Sequence, residues 1–396
     1  MYRRATKQRA EATAFASLNS AERKLYWGLI ANFILFGIVL SIRGATVPTV
    51  IRSFGWSYLA TGTVLAASSV GYFVATFGTG FLTRYCAPKP ILAISLVFEA
   101  VCLLLFGRHP SVALNTAINF GIGLGLGASE VVTNYEVIFM ERAGESRLMN
   151  LMHASFCLGA ILGPVAVAGL LRLEVAWTTV FTISGLLALL VSIYFAAIRF
   201  PAARGLAGSG ENGKKSTVTA LLVLLFGALL LYVGVEIGVA NWISEYFMRE
   251  LNAGIAASAS VGSVFWAGIL LGRLGLSFAY RGARQERILV LLCCASTLAL
   301  LATVVSRRAV IAAVCVFLAG LAYSGVYPLV MVIVGRRFRD GVAIGIVTSG
   351  GGIGAFVFPF LIALFADQIG LQGAFLFCVG VNAVLAIAAF ATLRTS

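Results

Sequence analysis

Residues 125–142 read GLGASEVVTNYEVIFMER, and they place Glu130, Asn134 and Glu136 in an otherwise apolar, glycine-rich region. The apolar run that contains them is long enough to cross a membrane as a helix. A charged side chain at the middle of a bilayer costs about 2.5–3.5 kcal/mol on insertion scales, so it usually faces a cavity or a partner. This stretch therefore predicts a membrane helix that carries a polar functional site.

The composition of the whole chain is that of a helical membrane protein. Of its 396 residues, 60% are hydrophobic and only 11% are charged, and the mean hydropathy is +0.98. A soluble domain normally has about 25% charged residues. The net charge of +14 comes from basic residues scattered through short loops, so we expect no nucleic-acid partner. Most of the seven cysteines lie in apolar runs, which predicts packed thiols rather than disulfides or a metal site.

Twelve apolar runs predict twelve membrane spans and an all-α polytopic fold. The predicted spans are residues 26–51, 58–82, 89–107, 112–137, 147–170, 176–199, 218–244, 255–279, 287–305, 309–334, 341–365 and 371–393. The segment PAARGLAGSGENGKKST (201–217) has the composition of a flexible linker. The predicted organisation is a cytoplasmic tail (1–25), a six-helix bundle (26–200), a cytoplasmic linker (201–217) and a second six-helix bundle (218–396).

The distribution of Lys and Arg predicts the orientation in the membrane. If both termini are cytoplasmic, 21 of the 29 basic residues lie in cytoplasmic segments and six in outer segments. Arg43 and Arg273 lie within or at the ends of spans. This asymmetry follows the positive-inside rule. We therefore expect both termini in the cytoplasm, and the short loops suggest a bacterial inner membrane.

The two predicted bundles share an internal repeat. SVGYF (69–73) is similar to SVFW (263–266) at an offset of 194, and GAILGP (159–164) is similar to GAFVFP (354–359) at an offset of 195. A nearly constant offset indicates that six helices were duplicated in parallel. Parallel repeats about an axis normal to the membrane are typical of alternating-access transporters.

With its twelve predicted spans and its parallel repeat, the chain resembles the major facilitator superfamily. That family usually carries Gly-x-Leu-x-Asp-Arg-x-Gly-Arg-Lys between spans two and three, and the matching stretch here is GFLTRYCAPK (80–89). Gly80, Leu82 and Lys89 fit the pattern, whereas Arg84 stands at the Asp position and Ala87 at the second Gly. The charge relay that this motif makes in the family is therefore not expected to be conserved in the same form.

The chain is most similar to the fucose–galactose–glucose:proton symporter branch. GLGASEVVTNYE (125–136) and RLMNLMHASFCLGAI (147–161) resemble the branch's fourth and fifth helices, and YVGVEIGVANWISEY (232–246) resembles its seventh. The first helix departs from the branch, because Arg43 and Gly44 stand where an Asn-Asp pair is usual. Substrate choice and coupling are therefore not expected to carry over whole.

The resemblance implies a twelve-helix fold in two parallel six-helix repeats, with spans 1, 4, 7 and 10 lining a central cavity. The polar residues on those spans are the predicted solute-binding set: Arg43, Glu130, Asn134, Glu236, Asn241, Trp242, Tyr323 and Tyr327. The predicted proton-coupling residues are Glu130, Glu236, His153 and Glu99. The predicted gating residues are Arg84 and Arg273.

Glu130 and Arg43 allow more than one interpretation. Glu130 shares a helix face with Asn134, so it can accept hydrogen bonds from solute hydroxyls and carry a proton, or it can pair with Arg43 to hold helices together. Arg43 can pair with Glu130, bind an anionic group of the solute, or extend to the outer interface.

Other candidate site residues also allow more than one interpretation. Glu236 is either functional or part of a helix–helix hydrogen bond. Trp242 can stack on a sugar, plug the outer end of the cavity, or belong to the interfacial belt. His153 can move protons or pack as a neutral ring. Glu99 is protonated, paired or part of a proton path, and Glu136 is interpreted as an interfacial residue.

The leading hypothesis is a proton-coupled secondary transporter for a small polar solute, a sugar or sugar derivative. Sodium is the alternative coupling ion, and no other cofactor is expected. One alternative function is an exporter or flippase for amphiphilic drugs or glycolipids. Another is a membrane sensor that does not transport. We expect a monomer in the lipid bilayer and no enzymatic activity.

Overall fold

The computed structural model describes residues 18–83, 85–140, 147–200, 220–279, 285–338 and 341–394, and every regular element in those ranges is an α-helix. Arg84, one of the two predicted gating residues, lies outside the described residues, as does the predicted linker 201–217.

The helices match the spans predicted from the apolar runs. Helices α1 to α6 are Ser20–Phe54, Tyr58–Leu82, Pro88–Leu105, Val112–Met140, Arg147–Arg172 and Thr178–Ala197. Helices α7 to α9 are Ala220–Glu250, Ile255–Ala279 and Gln285–Val305, and α10 consists of Ala309–Tyr323 and Val326–Phe338. The last continuous helix, Gly341–Arg394, bends at Gly370 (φ 80°), which divides it into α11 (341–369) and α12 (371–394).

This bend completes the expected number of crossings. In the described ranges, eleven helices are long and apolar enough to cross a membrane, and the last of them turns at Gly370 to cross twice. Because twelve is even, α1 begins and α12 ends at the same end of the bundle. We call this end the terminal face and the other end the opposite face.

Helix α1 begins earlier than the predicted first span. It starts at Ser20 rather than at residue 26, because Asn19 and Glu22 form a capping box. The Asn19 side chain accepts a hydrogen bond from the Glu22 backbone amide (2.9 Å), and the Glu22 carboxylate accepts one from the Asn19 amide (3.0 Å). This arrangement satisfies amides that a helix start leaves without partners.

The two six-helix halves pack in the same way. In the first half, α1 packs on α5, α2 packs on α4, and α3 packs on both α4 and α6. In the second half, α7 packs on α11, α8 packs on α10, and α9 packs on α10 and α12. The halves meet through α2 with α11, α5 with α8, and α1 with both α7 and α8.

Close helix contacts define the repeat more accurately than the short motifs do. Gly71 of α2 lies against the backbone carbonyl of Phe120, and Gly268 of α8 lies against that of Phe317. Gly268 is 197 residues after Gly71, and Phe317 is 197 residues after Phe120, so the two contacts are equivalent in the two halves. The predicted offset of 194 for these helices is therefore wrong by three residues, close to one helical turn, because the motif matched similar residues one turn away.

Glycine allows α5 to approach α1 closely. Gly159 of α5 lies directly against the backbone carbonyl of Ile34 in α1, so that an added Cβ would overlap it. Small residues at such crossings bring helix backbones together, and van der Waals packing then supplies much of the association energy within a membrane.

The opposite face is closed by polar contacts between the two halves. The backbone amides of Tyr58 and Leu59, at the start of α2, donate to the carboxylate of Asp367 in α11 (3.1 and 2.8 Å). The hydroxyl of Tyr58 donates to Glu245 in α7 (3.3 Å). A carboxylate at a helix start satisfies free amides and interacts favourably with the helix dipole.

Replacing Gly159 by Ala is expected to lower the thermal unfolding midpoint of the detergent-solubilised protein. The new methyl group would push α5 away from Ile34, and overpacking of this kind costs about 1–3 kcal/mol. Gly169, in the same helix, has no atom within 4 Å of the position that an added Cβ would take, so Gly169→Ala is the matched control. Equal midpoints for the two variants would contradict the packing described here.

Replacing Asp367 by Asn is expected to loosen the opposite face. Loss of a charge at a helix start costs about 0.3–1 kcal/mol, which corresponds to roughly a two- to fivefold faster opening. Hydrogen exchange at the first amides of α2, followed by mass spectrometry, measures this change. The control is Glu250→Gln, which removes an exposed charge at the end of α7. Unchanged exchange in Asp367→Asn would show that this contact does not hold the face closed.

Candidate functional site

A cavity of about 770 Å³ lies between the two halves. Helices α1, α4, α7 and α10 contribute to its wall, as the family resemblance implied, and α2 and α11 also line it. The lining residues Thr76 and Gly80, near the end of α2, and Thr348, near the start of α11, extend the cavity towards the terminal face. In the part of the chain that the structure describes, the opposite face is closed and the cavity therefore opens towards the terminal face.

Four of the eight predicted solute-binding residues line this cavity. They are Arg43, Glu130, Asn241 and Tyr327. Among the described lining residues, Arg43 is the one cation and Glu130 is the one carboxylate. The wall is otherwise formed mainly by apolar, aromatic and small side chains, so these two charges dominate its chemistry.

Glu130 is held by two neighbouring side chains. The hydroxyl of Tyr72 in α2 donates to its carboxylate, and the side chain of Asn134, one turn further along α4, lies near enough to interact with it. Tyr327 of α10 lies near enough to interact with Glu130 electrostatically. The carboxylate is therefore fixed in the wall while remaining in contact with the cavity.

Tyr72 was not predicted as a site residue. Its motif, SVGYF, indicated only the internal repeat. A tyrosine among small residues on an apolar helix is a weak signal by itself. The sequence pattern of α2 alone does not show that the Tyr72 hydroxyl reaches Glu130 on α4.

Arg43 does not pair with Glu130 as one interpretation proposed. In the described part of the chain, no ion pair within 4.0 Å joins them. Among the described residues, Glu99 of α3 acts on Arg43 electrostatically. Glu99 also contacts Gly125, so α3 packs behind α4 at this point. Arg43 is only 7% exposed, so extension to the outer interface is also wrong.

Glu99 is placed behind the cavity wall. It is 1% exposed, its Oε1 is buried without a hydrogen-bond partner, and it does not line the cavity. It interacts with Arg43 electrostatically without reaching ion-pair distance. The predicted role of Glu99 in proton coupling remains a prediction.

A second polar cluster lies at the junction of α5, α7 and α8. The Tyr232 hydroxyl donates to Glu236 (2.8 Å), and Arg273 interacts with both residues. Arg273 also donates to the sulfur of Cys157 in α5 (3.4 Å). This cluster therefore links α8 of the second half with α5 of the first, which is a suitable position for the predicted gating role of Arg273.

Glu236 and His153 belong to this cluster rather than to the cavity wall. Glu236 is buried, bonded to Tyr232 of the same helix and close to Arg273 of α8, which agrees with a structural link between helices. His153 lies in the electrostatic field of Arg273, and its ring packs edge-on against Phe33 (centroids 5.3 Å apart). Neither residue lines the cavity.

Trp242 and Tyr323 do not line the cavity either. The indole of Trp242 is fully buried, donates to the carbonyl of Pro359 (3.0 Å) and packs edge-on against Tyr58. Trp242 therefore plugs the closed opposite end, one of its three interpretations, and does not belong to an interfacial belt. Tyr323 is buried between Tyr232 and another aromatic ring.

The sequence is similar to a large family of membrane proteins. A profile of the Major Facilitator Superfamily matches residues 29–341 and 224–396. The Protein TsgA homolog of Edwardsiella ictaluri is 23% identical over 309 residues, which cover 77% of this chain and 78% of that protein.

Solved structures share the fold. The nucleoside transporter NupG superposes with a TM-score of 0.72 at 14% identity, covering 95% of this chain and 100% of that one. The D-xylose-proton symporter gives 0.73 at 12% identity, with 93% and 97% covered. FucP in its outward conformation gives 0.61 at 18% identity, with 92% and 97% covered. The profile match spans most of the chain, and the protein therefore belongs to the Major Facilitator Superfamily, whose members are transporters and not enzymes.

Proposed function

We propose that this protein is a secondary active transporter that moves a small polar solute, a sugar or sugar derivative, together with protons. The observation that carries the proposal is the placement of Glu130. It is the one carboxylate among the described residues of the cavity wall, and it is held by Tyr72 and Asn134. Arg43 and Asn241 add further polar groups to the same wall.

The chemistry of Glu130 suits both solute and proton. An ionised carboxylate only accepts hydrogen bonds from solute hydroxyls, whereas a protonated one also donates one through its O–H group. The cavity therefore has one affinity for the solute when Glu130 is protonated and another when Glu130 is ionised. Solute binding and proton binding are then linked, as coupling requires.

Proteins of the same fold support this choice of solute. One of them is a nucleoside transporter, and another is a D-xylose-proton symporter. Nucleosides and xylose both carry a polyhydroxylated ring. A wall that combines aromatic rings with a few polar groups is suited to such rings.

The distribution of basic residues supports a location in a bacterial inner membrane with both termini in the cytoplasm. In that orientation the terminal face is cytoplasmic, and the cavity opens to the cytoplasm. We propose that the protein acts as a monomer, without a cofactor other than the coupling ion and without a nucleic-acid partner.

One observation favours a second function, the export or flipping of amphiphiles. Phe73 and Phe77 of α2 line the cavity and are also 50% and 67% exposed. These rings give the cavity an apolar edge that suits an acyl chain. A thermal-shift comparison of sugars with short-chain glycolipids separates the two functions, because a ligand stabilises the protein that binds it.

Replacing Glu130 by Gln is expected to abolish coupling, since the amide cannot exchange a proton. Purified protein is placed in proteoliposomes that contain a pH-sensitive dye, and D-xylose, D-galactose or uridine is added outside. For the solute that is transported, wild-type protein should acidify the lumen, and Glu130→Gln should reduce the signal at least tenfold.

The matched control for this experiment is Glu136→Gln. Glu136 lies on the same helix but does not line the cavity, so its replacement should leave the proton signal close to that of the wild type. Proton movement at the wild-type rate in Glu130→Gln would contradict the assignment of Glu130.

A further inference from the structure

Arg43 is a buried cation without a hydrogen-bond or ion-pair partner among the described residues. It is 7% exposed, lines the cavity, and its Nε is buried without a hydrogen-bond acceptor. Within the described ranges, its side chain takes part in no hydrogen bond, and no carboxylate lies within 4.0 Å. Burying a charge in this way is unfavourable unless another group compensates for it.

The surrounding protein compensates for Arg43 only at a distance. Glu99 acts on it through the protein without reaching ion-pair distance. Glu130, the acid on the cavity wall, is engaged by Tyr72 and Asn134 instead. The guanidinium group therefore faces the cavity with hydrogen-bond donors that the described protein groups do not use.

We infer that the transported solute carries one carboxylate group and that Arg43 binds it. This inference rests on the proposed transport function and specifies its substrate class as a sugar acid. A guanidinium group binds a carboxylate through two parallel N–H···O bonds, which fix its orientation as well as its position. The hydroxyl groups of the solute then reach the polar groups that remain on the wall, which include Glu130 and Asn241.

The charge of the wall favours a carboxylate over a phosphate. Arg43 is the one cation and Glu130 the one acid among the described lining residues. A single guanidinium balances one negative charge, whereas a phosphate group carries close to two at neutral pH. A sugar phosphate would therefore leave an unbalanced charge beside Glu130 within the cavity.

The net charge that crosses the membrane in each transport cycle follows from the surroundings of Glu130. Among the described residues, the groups that interact with Glu130 are Tyr72 of α2, Asn134 of α4 and Tyr327 of α10, and none of these three is a cation. When the solute carboxylate enters beside Glu130, one proton on Glu130 removes the repulsion between the two acids. One anion and one proton then cross together, so transport is electroneutral.

The test compares sugar acids with their neutral counterparts on the purified full-length protein. D-Glucuronate and D-galacturonate are titrated against D-glucose and D-galactose, with glucose 6-phosphate as a further ligand, and thermal stabilisation is measured. For wild-type protein, at least one sugar acid should stabilise at a concentration at least tenfold lower than its neutral counterpart. In proteoliposomes, its proton-driven uptake should not change when a membrane potential is imposed.

Variants of Arg43 identify the residue responsible. Arg43→Gln should remove the preference for the acid over the neutral sugar, and Arg43→Lys should keep part of it, because lysine retains the charge without the bidentate geometry. The control is Arg172→Gln, which removes a charge at the end of α5, outside the cavity wall, and should leave the preference unchanged. If Arg43→Gln does not fold, the wild-type and Arg43→Lys measurements decide the matter.

Three results would overturn the inference. They are equal binding of acid and neutral sugars by wild-type protein, an undiminished preference in Arg43→Gln, and tighter binding of glucose 6-phosphate than of either sugar acid. Proton-coupled transport of a neutral sugar without any preference for acids would overturn this inference while leaving the proposed function intact. If none of the sugars, sugar acids or uridine binds or is transported, both proposals fail.

Discussion

A charged side chain within a bilayer has no bulk water to solvate it, and the internal arrangement of this protein follows from that constraint. Glu130 is held by Tyr72 and Asn134 at the edge of a cavity. Glu236 and Arg273 lie together between helices. Each of these charges therefore lies on a helix face that packs against other helices or borders the cavity. No charge among these three faces the surrounding lipid.

Two kinds of contact hold the helices together. Within each half, glycines such as Gly71 and Gly268 bring helix backbones into direct contact, which makes each half a closely packed unit. Between the halves, glycine contacts such as that of Gly44 with the backbone carbonyl of Ala240 occur together with polar contacts, such as the bond from Ser69 to the carbonyl of Ala355 and the contact of Asp367 with the start of α2.

Much of this architecture could be predicted from the sequence, because membrane spans depend on length and hydropathy alone. The number of spans, the two halves and the cavity residues Arg43, Glu130, Asn241 and Tyr327 followed from runs, repeats and family motifs. The failures concern rotation and distance between helices. Trp242 is one residue from Asn241, yet it points into the closed end, and the bond from Tyr72 to Glu130 joins helices whose relative rotation no local pattern records. Likewise, a sequence does not show that Glu99, behind another helix, acts on Arg43.

The 197-residue repeat has a consequence for how the halves share their roles. It makes Tyr327 the counterpart of Glu130, so one duplicated position now holds an acid in the first half and a phenol in the second. The charged residues of the described cavity wall, Arg43 and Glu130, both belong to the first half, whereas the second half contributes neutral groups such as Asn241 and Tyr327. In the proposed function, this difference assigns solute binding to the first half and covering of the solute to the second. In the proposed cycle the solute stays attached to the first half while the second half moves past it.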